Sequence, residues 1–279
     1  MLVNSRRIAF LDVDGTILDH HGTVAPSTVD AIRSARAAGH LVFLSTGRSS
    51  GDVPPAVRMI GFDGVVSNGG AYATVGDETV VARAMPLDAV QKLIDYFEAA
   101  GIRYLLQTDD GAYAGAEVRA VFDDLHRRLF ASHDHDSAPH LHDIARIDRS
   151  RVAKAVFLSR DANAVTRAQS DLGDTFHVVP GSMPLPGGSN GEIGMLGTTK
   201  GSAILEVLAH LGATADATIG VGDSWNDVEM FEVCGVGIAM GNADAALKAL
   251  ADEVTTSVTD DGVWNAFVRH GLIGTALGA

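Results

Sequence analysis

The apolar run Ile8-Ala9-Phe10-Leu11 stops abruptly at Asp12-Val13-Asp14-Gly15-Thr16. A run without polar alternation suits a central parallel strand covered on both faces, and open parallel sheets keep their ligand crevice beyond the carboxyl ends of such strands. A helical stripe follows through Val29, Ile32 and Ala35 and stops at Gly39, with Ser27 and Asp30 expected as its N-cap pair. Residues 41–44 form the next apolar run and end in Ser45-Thr46-Gly47-Arg48; residues 64–66 form a third and end in Ser67-Asn68-Gly69-Gly70. Three strands that end in small, polar or glycine residues predict a site along one edge of a sheet. Residues 72–84 alternate around Gly76-Asp77 and predict a hairpin.

From Pro86 the order changes. Asp88 is expected to cap a helix with the stripe Val90, Leu93, Ile94 and Phe97, closed by Gly101. Paired strands are predicted at 102–107 and 112–114 around Asp109-Asp110-Gly111, then a helix over 117–130, a strand over 152–158, a helix over 161–172 and a strand over 175–179. This mixture predicts a separate α+β layer. The turn-rich stretch 180–188 reads as the connection back, and 192–195 as a short strand of the resumed first layer. A helix then opens at Gly197-Thr198-Thr199-Lys200-Gly201 and ends near Gly212. The strand at 218–221 ends in Gly222-Asp223-Ser224-Trp225-Asn226-Asp227. A helix at 228–233, a strand at 235–240 and helices near 243–250 and 263–270 complete the alternation. The expected fold is α/β: a Rossmann-like parallel-sheet core of residues 1–84 and 189–279, interrupted by an inserted α+β cap at 85–188.

Composition narrows the function. A formal net charge of −14 disfavours nucleic acid or an anionic membrane as main partner, because both need basic patches. Any phosphate site must be built locally. The single cysteine, Cys234, excludes an intramolecular disulfide and a Cys-rich zinc site, which fits a reducing cytoplasm. No segment approaches the roughly 20 apolar residues of a membrane span, so a soluble cytoplasmic protein is expected.

Asp12 and Asp14, two apart on an extended chain, are expected to share one pocket and to repel unless a cation or a shared proton relieves them. Read alone, Asp12 and Asp14 could equally cap a turn, and Asp223 could be a turn residue. Lys200 alone reads as a solvated surface lysine. Order changes this: Asp12-Val13-Asp14-Gly15-Thr16, Thr46 at a strand end, Lys200, then Gly222-Asp223 through Asp227 resemble the successive motifs of the haloacid-dehalogenase superfamily. With Ser45-Thr46-Gly47-Arg48 and Ser67-Asn68-Gly69-Gly70, and with the insert between Thr46 and Lys200, the chain is similar to the Cof-type phosphatases.

The resemblance implies a phosphatase that hydrolyses a small phosphorylated metabolite through an aspartyl phosphate. Asp12 matches the nucleophile and Asp14 the general acid and base. Mg2+ is the implied cofactor, with Asp12, the main-chain carbonyl of Asp14 and Asp223 as a partial shell. Thr46 and Lys200 match the groups that hold the phosphoryl oxygens. Gly47, Arg48, Asn68 and Asn226 join them as substrate-side residues, and Asp227 supports Lys200 and the metal. Arg48 either binds the substrate phosphate or ties two loops together, and Ser67-Asn68-Gly69-Gly70 either offers amides to a ligand or is a plain turn. The resemblance also admits a phosphomutase using the same intermediate, and a sugar-phosphate-binding regulator without catalysis. Sugar phosphates, pyridoxal phosphate and flavin mononucleotide are the candidate substrates, with no motif to choose among them. The segment His133-Asp134-His135-Asp136, with His140 and His142, has metal-binding residue types but no periodicity and is expected to be a solvated loop. Trp225 is expected to pack beside the site.

Overall fold

A computed structural model describes residues 6–129, 141–181 and 188–275. In chain order the first layer contributes β1 (Ile8–Leu11), α1 (Pro26–Ala37), β2 (Leu41–Ser45), α2 (Pro55–Arg58), β3 (Gly64–Ser67), β4 (Tyr72–Val75) and β5 (Glu78–Ala82). The insert contributes α3 (Leu87–Ala100), β6 (Arg103–Thr108), β7 (Gly111–Ala114), α4 (Ala116–Leu129), β8 (Leu141–Asp143), β9 (Lys154–Ser159), α5 (Ala164–Leu172), β10 (Phe176–Pro180) and β11 (Ser189–Met195). The chain then returns with α6 (Lys200–Leu211), β12 (Thr218–Gly222), α7 (Val228–Val233), β13 (Val236–Ala239), α8 (Ala245–Lys248), β14 (Glu253–Val254) and α9 (Gly262–Arg269).

The core sheet has the order β14-β13-β12-β1-β2-β3-β4-β5, parallel except for the β4–β5 hairpin at one edge. The expectation for the first apolar run holds because β1 is wholly buried and feeds two separate cores. Ala9 and Leu11 pack beneath α1 and α9, whereas Ile8 and Phe10 pack beneath α6 and α7. The strand order reverses at β1, which lies between β2 and β12, so the crevice of a doubly wound sheet falls at the ends of β1 and β12. Asp12 and Asp223 follow those two strands directly.

The second sheet has the order β10-β11-β9-β6-β7-β8 and is antiparallel except for β7–β8. One face carries Leu106, Phe157 and Ile193 against the stripes of α3 and α5; the other carries Leu105 and Leu158 beside Val118 of α4. One boundary moves. Residues 189–195 were expected in the resumed core, but β11 pairs with β9 and β10 and so belongs to the cap sheet. Its sequence, Ser-Asn-Gly-Glu-Ile-Gly-Met, mixes polar, glycine and apolar positions without regular alternation, so no local pattern assigns it to either sheet.

Two caps also differ from expectation. Helix α1 starts at Pro26, with Ala25 before it and no side-chain cap, because proline at the first helical position is preorganised for the turn. Asp88 lies inside the first turn of α3, whose cap position is Pro86. The hairpin about Gly76 forms and the helices stop at Gly101 and Gly212 as predicted, both glycines taking left-handed backbone. The segment 133–136 and His140 lie outside the described residues; His142 is on β8 with its ring against Tyr113.

Candidate active site

Lys200 is the hub. It begins α6, where Thr199 accepts from the Ser202 N–H and Ser202 reciprocates, fixing the first turn. Its ammonium is buried and donates to Asp12 Oδ1 at 2.7 Å, Asp227 Oδ1 at 2.6 Å and Asn226 Oδ1 at 3.1 Å. The expected surface alternative for this lysine is thereby excluded: its side chain has 0% exposure. Asp227 is held from the other side, its Oδ2 accepting from the N–H groups of Asp223 (3.1 Å) and Ser224 (3.0 Å). Thr16 donates to Asp223 Oδ1 at 3.3 Å. Gly15 has φ +84°, and a Cβ there would run into the Asp223 carboxylate. Asn242, just beyond the end of β13, donates to the Gly15 carbonyl at 2.8 Å and accepts from the Val258 N–H at 2.9 Å.

Asp14 does not share a pocket side by side with Asp12. Strand β1 ends at Leu11, so the two-residue alternation does not extend through Val13, and the Asp14 carboxylate turns outward to Arg48. The pair is bidentate, Nε to Oδ2 and Nη2 to Oδ1, both at 2.8 Å. Arg48 also donates to the Asp52 carbonyl at 3.1 Å. Of the two roles expected for Arg48, this geometry is that of a tie between loops. Thr46 is buried at the end of β2, its Oγ1 accepting from the Arg48 N–H at 3.1 Å. Asn68 lies in left-handed backbone with φ 52°, and its N–H donates to the Arg48 carbonyl at 2.7 Å.

The cap completes the crevice with residues that the sequence did not flag. Gln107 Nε2 donates to the Gly47 carbonyl (2.9 Å) and to Asn68 Oδ1 (2.7 Å). Asp109 Oδ1 accepts from Ser67 Oγ (2.7 Å) and Asn68 Nδ2 (2.9 Å), and its Oδ2 accepts from Ser50 Oγ at 2.8 Å. Lys154 and Glu192 pair at 2.6 Å, and His177 of β10 pairs with Glu229 of α7 at 3.1 Å. The available signal was a polar residue at an otherwise buried alternation: Gln107 lies opposite Lys154 in the β6–β9 register, at positions where an apolar residue would serve packing alone.

The electrostatics follow from crowding. Burial pushes the Asp12 carboxyl well above its usual range against the pull of Lys200, and the charges of Asp227, Asp223 and Asp14 raise it further. Burial and Asp227 push Asp223 up to about 7. The Asp14 side chain is 48% exposed, and although its crowded surroundings oppose ionisation, the charge and hydrogen bonds of Arg48 outweigh them and hold the carboxyl low. Asp12, Asp223 and Asp227 each offer an oxygen within 4.8 Å of the others. An all-oxygen set with surplus negative charge fits a hard divalent cation. Asp227 is held by Lys200 and two main-chain N–H groups at 2.6–3.1 Å, whereas Asp223 accepts only the longer bonds of Thr16 at 3.3 Å and Asn242 at 3.5 Å, so Asp12 and Asp223 are the freer side-chain donors.

Against known proteins, the family described as haloacid dehalogenase-like hydrolase matches residues 9–267. The chain belongs to that family. It is 26% identical to YkrA of Bacillus subtilis over 96% of this chain and 98% of that one. It is 27% identical to the pyridoxal phosphate phosphatase YbhA of Escherichia coli, over 95% and 98%. Its fold is shared by the subclass IIB sugar phosphatase BT4131, with a TM-score of 0.78, 24% identity and coverage of 96% and 100%. The protein is thus a phosphatase of the Cof type, as the order of its motifs implied. No helix among the described residues is long and apolar enough to cross a membrane.

Proposed function

We propose that the protein is a Mg2+-dependent phosphomonoester hydrolase that works through an aspartyl phosphate on Asp12, acting on a small phosphorylated metabolite such as a sugar phosphate or a phosphorylated cofactor. The observation that carries this reading is the buried Asp12 carboxylate, fixed by Lys200 at the switch point of the sheet within reach of two further carboxylates. Asp12, Asp223 and the main-chain carbonyl of Asp14 would hold Mg2+, which when bound would supply charge neutralisation for the carboxylates and the transferring phosphoryl group.

In the first displacement an Asp12 oxygen forms a bond to phosphorus as the ester P–O bond breaks, and Asp14 delivers its proton to the leaving oxygen. In the second, Asp14 takes a proton from water as that water attacks phosphorus, releasing inorganic phosphate and restoring Asp12. Lys200 and Thr46 hold phosphoryl oxygens, where fixed donors stabilise developing charge. Gly47, Asn68 and Asn226 shape the loops around them, and Asp227 orients Lys200. The Asp14–Arg48 pair favours the carboxylate form, which suits the second step; proton delivery in the first requires that pair to open as substrate enters. Asp12→Asn should abolish turnover of p-nitrophenyl phosphate while leaving the circular dichroism spectrum intact. Substantial activity in that variant, with contaminating phosphatase excluded, would overturn the covalent route.

A further inference from the structure

Two crossings join core and cap, and each passes from one to the other within one or two residues. On the way out, the Arg83 N–H donates to the Ala71 carbonyl of the core at 2.8 Å, and the Met85 N–H donates to the Val152 carbonyl of the cap at 2.7 Å. Only Ala84 separates them. On the way back, the Leu196 N–H donates to the Thr175 carbonyl beside β10 at 3.1 Å, whereas Thr199 already caps α6. Gly197, with φ +79°, and Thr198 lie between. Both crossings meet on one hydroxyl. Ser202 Oγ accepts from Arg83 Nη1 at 3.2 Å and from the Thr199 N–H at 3.0 Å, and it donates to the Thr199 carbonyl at 3.0 Å. A hydroxyl has one donor and two acceptor sites, so Ser202 is saturated. The Arg83 guanidinium also pairs with Glu206, one turn further along α6. With side chains 35% and 44% exposed, that pair contributes little to stability as a surface ion pair.

Resting on the phosphatase reading, we infer that Arg83 is a positioning residue for the reaction: through Ser202 it braces the first turn of α6 against movement of the cap, so that Lys200 stays on Asp12. Its planar fork grips two successive turns of the helix that begins with Lys200. That turn is wedged on two other sides. A Cβ on Gly70 would lie 2.0 Å from the Thr199 carbonyl oxygen, and one on Gly201 would lie 2.4 Å from the Glu229 carbonyl oxygen of α7. Arg83 supplies the contact from the side of the crossings. The need for it follows from chain order, because the returning crossing runs straight into Lys200. Rotation about Gly197 and Thr198 would otherwise pass to Thr199 and then to the ammonium that donates to Asp12 at 2.7 Å. A misplacement of about 1 Å in a group that orients reactants costs about 10²-fold in rate. Fixed donors matter most where charge develops, so the effect belongs in kcat rather than in KM. Arg83 acts through Lys200 and does not touch the reacting atoms.

The test measures kcat and KM of the full-length enzyme on p-nitrophenyl phosphate with Mg2+, together with the melting temperature. Arg83→Gln and Ser202→Ala should each lower kcat by about tenfold while KM changes by less than about threefold. The double variant R83Q/S202A should be no slower than the slower single variant, because the two residues act through one contact. Arg83→Lys, a single point donor that reaches Ser202 or Glu206 but not both, should recover part of the loss. Unchanged kcat in both single variants would overturn the proposal. An effect confined to KM would do the same, as would losses that multiply in the double variant. Should Arg83→Gln melt below the assay temperature, Arg83→Lys and Ser202→Ala decide by the same criteria. No Mg2+-dependent turnover by the unaltered enzyme would overturn the phosphatase reading beneath the proposal, whereas the role of Arg83 fails only against an active parent.

Discussion

Asp223 and Lys200 show how single residues set the terms of the chemistry. A carboxyl that burial and Asp227 hold near 7 carries a proton below that pH, and a cation must displace it. The apparent Mg2+ affinity should therefore fall as pH drops below about 7, approaching about tenfold per unit while one proton is exchanged. Calorimetric titration with Mg2+ in buffers of different ionisation enthalpy checks this, and an affinity that is flat across that range would count against Asp223 as a ligand. Lys200 neutralises two buried carboxylates at once. Lys200→Met leaves both uncompensated and should destabilise the metal-free protein by about 3–5 kcal/mol, the usual effect of breaking a buried pair. Urea unfolding reads this directly; an unchanged midpoint would show that water reaches the cluster.

Among the elements, α6 matters because its first residue is Lys200, and its start packs against the turn that ends at Gly70. Gly70 has φ +103°, and a Cβ there would collide with the Thr199 carbonyl at the start of α6. Gly70→Ala combines the left-handed penalty of about 1–2 kcal/mol with displacement of that turn. It should lower kcat by shifting Lys200, and a variant with full kcat and an unchanged melting temperature would show that the turn yields without moving the helix. The same logic explains Gly15 and Gly222, where added Cβ atoms would strike Asp223 and Asp227. Cys234, at the end of α7, is a packing residue: burial pushes its thiol up to about 12.

For the whole molecule, the core and the cap have separate apolar clusters, so the cap rests on the core largely through polar contacts. Water can replace such contacts at little net loss, which suits a lid that opens and closes. Asp109 is the densest of them, accepting from Ser50, Ser67 and Asn68 of the core. Asp109→Ala should favour the open arrangement, raising KM for alkyl esters and increasing the radius of gyration in small-angle scattering. Identical scattering curves for variant and parent would exclude a latch at this position.

The sequence by itself determined the chain of motifs and most of the elements. An unalternated run such as β1 permits few environments, and Asp12, Thr46 and Asp223 are tied to strand ends by the run that precedes each. It also determined that Lys200 opens a helix, because Thr199 and Gly201 mark the start. Only the tertiary structure decided which sheet takes residues 189–195, since a short glycine-bearing strand pairs according to its neighbours in space. Only it turned Asp14 to Arg48, because the chain has left the strand where alternation would have fixed its direction. The cap residues Gln107, Asp109, Lys154 and Glu192 were equally hidden. Their meaning lies in the core loops they touch, whose contacts lie 60 residues away for Gln107 and 59 for Asp109, and no local pattern encodes a contact across that distance.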